Sequence, residues 1–125
     1  MNKIKSKLNF DETVSLLIDT IEEKGLKLFY TANHKSNAIE VELDMPDTVV
    51  LFFGNPKVGT KLMLDNPEVS LELPLRIAVF MEDNEVYLMY RIPTAYANDF
   101  KVSADSMEIL SKMDELYDGL TKALI

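Results

Sequence analysis

Few side chains in this sequence are able to do chemistry. There is one histidine, His34, and no cysteine, so neither a pair of imidazoles nor a thiolate is available as metal ligand, nucleophile or relay. Carboxylates are plentiful, but none stands in a spacing that holds a divalent ion. No phosphate-binding glycine loop or serine-nucleophile motif occurs. No metal site and no cofactor is expected. Glu40, Glu42 and Asp44 alternate, which reads as the solvated face of extended chain. His34 lies in Asn33-His34-Lys35-Ser36-Asn37, after a predicted strand. A lone loop histidine is more often a structural hydrogen-bonder or merely exposed than a catalyst.

The stretch Phe53-Gly54-Asn55-Pro56-Lys57-Val58-Gly59-Thr60 is the most suggestive one. A predicted strand ends there, a helix starts with free N–H groups, and two glycines let backbone approach closely. With the Lys57 cation and the Thr60 hydroxyl, the turn would hold an anion. The competing account is structural, with Asn55 only a cap, Gly59 a packing residue and Lys57 in water. The candidate ligand-binding residues are His34, Asn55, Lys57, Gly59 and Thr60. A catalytic version would use His34 as acid or base and Lys57 to steady a developing negative charge.

These residues depend on the elements that carry them. Ile4, Ser6, Leu8 and Phe10 alternate with Lys3, Lys5, Lys7 and Asn9, the pattern of an edge strand whose lysines discourage sheet-to-sheet association. Asp11 is placed to cap a helix whose stripe is Val14, Leu17, Ile18 and Ile21 and whose stop is Lys24-Gly25. Leu26 to Thr31 reads as a strand. From Ala32 to Pro46 the pattern is mixed, and a helical turn near Lys35 to Ala38 followed by extended chain fits it. Val49 to Phe53 is a continuous apolar run, the composition of a strand covered on both faces. Asn55-Pro56 starts a helix to about Leu64, and Asn66-Pro67 a shorter turn ending before Pro74.

Leu75, Ile77, Val79 and Met81 then pair with Val86, Leu88, Tyr90 and Ile92 as a hairpin turning at Glu82 to Glu85. Tyr87 and Tyr90 must point to opposite sides. Ser103 or a near neighbour is placed to cap a last helix with the stripe Leu110, Met113, Tyr117, Leu120 and Leu124. The order β-α-β-β-α-β-β-α predicts a two-layer α+β fold with a largely antiparallel sheet and helices on one face.

Composition bounds the rest. The 125 residues fit one domain spanning 1–125. Thirteen basic against twenty-one acidic residues leave a net charge of -8, which repels phosphate backbones, so no nucleic-acid partner is expected. No segment has the ~20 apolar residues of a membrane-spanning helix, and no apolar stretch follows the first lysines. A cytoplasmic protein without membrane contact is the expectation.

The string Phe53 to Thr60, with Leu62-Met63, Asn66-Pro67, Leu71-Glu72-Leu73-Pro74-Leu75-Arg76 and Glu82-Asp83, resembles the domain of unknown function 302 family. The resemblance runs from about Phe10 to Pro93. It implies a compact α+β fold similar to the TATA-binding-protein class and a homodimer, and it implies no activity. Members often carry Asp before the histidine and Ala after it, where this chain has Asn33 and Lys35. The family's frequent Trp before the Glu-Asp turn is replaced here by Phe80-Met81. The residues leave open a ligand-binding module, an interaction or assembly module whose motif only builds the fold, and a His34/Lys57 enzyme.

Overall fold

A computed structural model describes residues 1–125. Five strands form one antiparallel sheet in the order β1-β5-β4-β3-β2. They are β1 (Asn2–Lys5), β2 (Lys27–Asn33), β3 (Thr48–Gly54), β4 (Leu75–Glu82) and β5 (Glu85–Tyr90). The helices are α1 (Phe10–Glu23), α2 (His34–Glu40), α3 (Pro56–Asp65) and α4 (Ala104–Thr121). A 3₁₀ stretch, Pro67–Glu72, joins α3 to β4, and another, Pro93–Asn98, precedes α4. The predicted α+β order holds, with α2 added.

The core lies between one face of the sheet and the helices α1 and α4. Val49, Leu51 and Phe53 of β3, Leu75, Ile77 and Val79 of β4 and Leu88 of β5 meet Leu17 and Ile21 of α1 and Leu110, Tyr117 and Leu120 of α4. The alternation in β4 and β5 is the period of a strand with one buried face. The hairpin between them closes on Asp83 and Asn84, with φ of 53° and 63°, the two left-handed positions of a tight two-residue turn.

Three expectations need correction. The cap of α1 is Asn9, not Asp11: its Oδ1 accepts from the Glu12 N–H at 2.8 Å, which leaves Asp11 inside the first turn. Ile39 to Asp44 forms no strand. Ile39 belongs to α2, and Val41 and Leu43 follow it, all of them exposed. The β3 run is not covered on both faces. Val50 and Phe52 sit half-buried on an open face with Ala78, Phe80, Tyr87 and Met89, because α1 and α4 pack on the other side.

Candidate functional site

β3 ends at Gly54, and the chain turns through Asn55 into α3. Asn55 Oδ1 accepts from the Lys57 N–H at 3.0 Å, and the Gly59 N–H returns to the Asn55 carbonyl, also at 3.0 Å. Pro56 has no N–H, and the Thr60 hydroxyl donates to the Pro56 carbonyl at 2.6 Å. Of the first-turn donors only the Val58 N–H has no protein partner. One amide does not cradle an anion.

Beside this turn lies a cleft of about 310 Å³. Phe29 and Phe53 wall it from the sheet, and Asn55, Pro56, Gly59, Thr60 and Met63 from the α3 side. Ser70, Leu73 and Pro74 close it from the connection to β4, and Gly54, Leu75 and Met113 complete the lining. No ionisable side chain lines it. Its polar side chains are those of Asn55, Thr60 and Ser70, so most of what a ligand would touch is apolar or sulfur. Methionines such as Met63 and Met113 adapt to irregular shapes.

The predicted site residues thus divide. Asn55, Gly59 and Thr60 line the cleft, whereas Lys57 and His34 do not. Lys57 is exposed. His34 opens α2, whose cap Asn33 accepts from the Ser36 N–H at 3.0 Å, and Asn33 pairs with Val49 at the start of β3. Gly54 ends the same strand, five residues on, a separation of roughly 17 Å along the sheet. His34 and Lys57 therefore lie toward opposite ends of β3 and share no cleft. The glycines are also less constrained than their motif suggests. A Cβ on Gly54 would meet Phe29 at 3.9 Å and one on Gly59 would meet Leu73 at 3.8 Å, both ordinary contacts.

Sequence reasoning missed Phe29. It sits where the register of β2 against β3 slips between Leu28 and Tyr30, and such a bulge has no signature in a run like Leu-Phe-Tyr. Ser70 and Met113 were also out of reach, since only tertiary packing brings them to α3.

The Leu73-Pro74-Leu75-Arg76 string is structural. Buried Glu72 accepts from Arg76 Nη2 at 3.2 Å and faces Arg91 Nε at 3.7 Å, tying the 3₁₀ stretch to β4 and to the end of β5. Burial, with the Glu72 charge second, pushes the Tyr96 hydroxyl up to about 12. Burial raises Tyr117 further still, with Tyr96 next in effect. Tyr117 stacks on Tyr90 at 4.0 Å between ring centres and meets Phe53 edge-on at 5.6 Å, so the cleft wall rests on a packed aromatic cluster.

Helices packed on one face of a five-stranded antiparallel sheet, with an uncharged cleft at a strand-to-helix turn, define a two-layer α+β domain. The chain belongs to the family described as "Domain of unknown function DUF302", which it matches over residues 2–120. Its fold is that of the crystal structure of an uncharacterized conserved DUF302 protein from Bacillus stearothermophilus. The TM-score is 0.82 at 18% identity, covering 98% of this chain and 94% of the other. It is also similar to the fluoride-specific ion channel FluC 1 of Brucella suis, 30% identical over 105 residues, covering 82% of this chain and 41% of that protein. FluC 2 of Brucella melitensis matches at 30% over 105 residues, 82% of this chain and 38% of that protein. The chain thus spans about two fifths of the length of these curated relatives.

Proposed function

We propose that this chain is a cytoplasmic, single-domain binding module that takes one small, mainly apolar molecule in the cleft beside α3. The cleft carries the reading: it has about 310 Å³ of space, within the range of small-molecule sites, and apolar walls with a few polar groups to orient a ligand. The turn into α3 does not hold this ligand in the way the motif suggested, since Lys57 does not line the cleft and the α3 amides are nearly all used. No helix of the chain is long and apolar enough to cross a membrane, so we read the segment shared with the Brucella channels as one that accompanies a channel rather than forming its pore.

The uncharged fluorophore N-phenyl-1-naphthylamine tests this. Its emission is expected to rise and shift to the blue with wild type, and to do neither with Gly59→Leu, which fills the cleft. A probe that ignores wild type, or responds equally to a folded Gly59→Leu variant, would sink the reading.

The open sheet face favours a second reading, a homodimer through that face. The Val49 to Phe53 run has the composition of a strand covered on both sides, and one side is uncovered within the chain. Five strands about 4.8 Å apart and about 20 Å long offer on the order of 500 Å² per copy. Two copies would bury about 1,000 Å², the lower bound of a specific interface. Sedimentation equilibrium is expected to give a dimer for wild type and a monomer for Ala78→Arg. A wild-type monomer at high concentration would end this reading.

A further inference from the structure

The cleft has no charge of its own, but charge lies next to it. A groove of about 380 Å³ runs between α3 and α4 and shares Gly54, Asn55, Leu75 and Met113 with the cleft, so the two adjoin at the first turn of α3. Val58, Ile109 and Leu116 give this groove an aliphatic surface, and Lys61 and Lys112 also line it. Both lysines are exposed. Lys61 makes no ion pair. The carboxylate one turn on, Asp65, is committed to the Ser103 N–H at 2.9 Å and the Ser106 hydroxyl at 2.6 Å. Lys112 has only Glu108 at 3.9 Å, an exposed pair and the longest ion pair in the molecule.

What sets these two lysines apart, in a chain of net charge -8, is that both line the same aliphatic groove. An anion seated between them would meet two positive charges while its hydrocarbon covered apolar surface. We propose that the ligand is a single-chain amphipathic anion, its hydrocarbon on the surface shared by cleft and groove and its head held by Lys61 and Lys112. The proposal rests on the binding reading above and names the class of molecule that fills it.

Decanoate and its neutral counterpart decanol separate the two ideas by calorimetric titration of the full chain at low salt. Decanoate is expected to bind about fivefold tighter or more. The double variant Lys61→Gln/Lys112→Gln should lower decanoate to the decanol level and leave decanol unchanged, and added salt should shrink the wild-type preference. Both positions are exposed, and circular dichroism confirms the variant's fold. Equal affinities in wild type, or a preference that survives in the variant, would overturn the anionic head and leave the cleft reading standing. Binding of neither molecule would overturn both. The protein is expected to stay in solution when anionic phosphatidylglycerol vesicles are pelleted; co-pelleting would replace a soluble amphiphile by a membrane surface and overturn the proposal.

Discussion

Tyr117 holds both backbone groups of a single residue, Arg76. Its hydroxyl accepts from the Arg76 N–H at 3.1 Å and donates to the Arg76 carbonyl at 2.8 Å. The ladder between β4 and β5 ends with the pair Ala78–Met89, and beyond it the tyrosine supplies the partner that β5 no longer gives. Tyr117→Phe keeps the ring and its stacking but strands both groups in a partly buried place. It is expected to cost about 1–3 kcal/mol, read as a lower urea midpoint at unchanged slope. An unchanged midpoint would mean that water replaces the hydroxyl.

The buried tyrosines set the alkaline limit of the fold. Burial raises Tyr90, Tyr96 and Tyr117 above the ordinary value of 10.0, Tyr96 to about 12. A raised phenol favours the folded state fully below the unfolded value, and that contribution is lost as pH climbs through the folded one. Stability is therefore expected to fall between pH 10.0 and about 12. Ultraviolet titration of the 5 tyrosines should show a late step coincident with loss of near-ultraviolet dichroism. If all of them ionised near pH 10.0 with the fold intact, the burial argument would fail.

Asp65 works in the opposite direction. Its carboxylate accepts from the Ser103 N–H and the Ser106 hydroxyl, and these bonds hold it below its ordinary 3.8. A lowered carboxylate favours the fold above the unfolded value and loses that contribution as pH falls through the folded one. Exchange protection at the start of α4 should weaken below pH 3.8 in wild type. Asp65→Asn should show weaker protection at neutral pH and less change on acidification. Identical pH profiles in the two proteins would contradict this.

Gly59 is a helix-interior glycine with room beside it: a methyl group there would find Leu73 Cδ1 as its nearest neighbour, at 3.8 Å. Gly59→Ala is expected to stabilise the protein by about 0.5–1 kcal/mol. A loss of stability in thermal unfolding would show that the backbone there needs glycine for a reason other than space.

Binding at the cleft should be indifferent to the charged residues of the motif. Lys57→Ala and His34→Gln are expected to leave the N-phenyl-1-naphthylamine titration unchanged, because neither side chain lines the cleft. A several-fold loss with either variant would place the ligand elsewhere.

Much of the fold is legible in the residues because local and global signals agree there. Asn55-Pro56 and Ser103 each mark a helix start that the structure keeps, and the β4–β5 hairpin follows from strict alternation around Asp83-Asn84. The segment from Ala32 to Pro46 resists reading because Ile39, Val41 and Leu43 alternate as in a strand while Ile39 and Leu43 also stand at i and i+4, and no burial decides between the two. Part of the cleft is legible in the sequence. Asn55, Gly59 and Thr60 are neighbours in sequence as well as in space, whereas Phe29, Ser70 and Met113 come to the cleft from separate parts of the chain. Charge misled most. Lys57 sits inside the motif yet outside the cleft, and Lys61, one turn on, lines the adjoining groove.

The register slip at Phe29 has a wider meaning. An edge strand is the place where a chain gains or loses one residue with least disturbance to the rest of a sheet, and here the extra residue furnishes one aromatic wall of the cleft. The width of the cleft is thus adjustable in single-residue steps without touching the hydrophobic interior. Relatives with a flush second strand would be expected to show a wider and shallower hollow there.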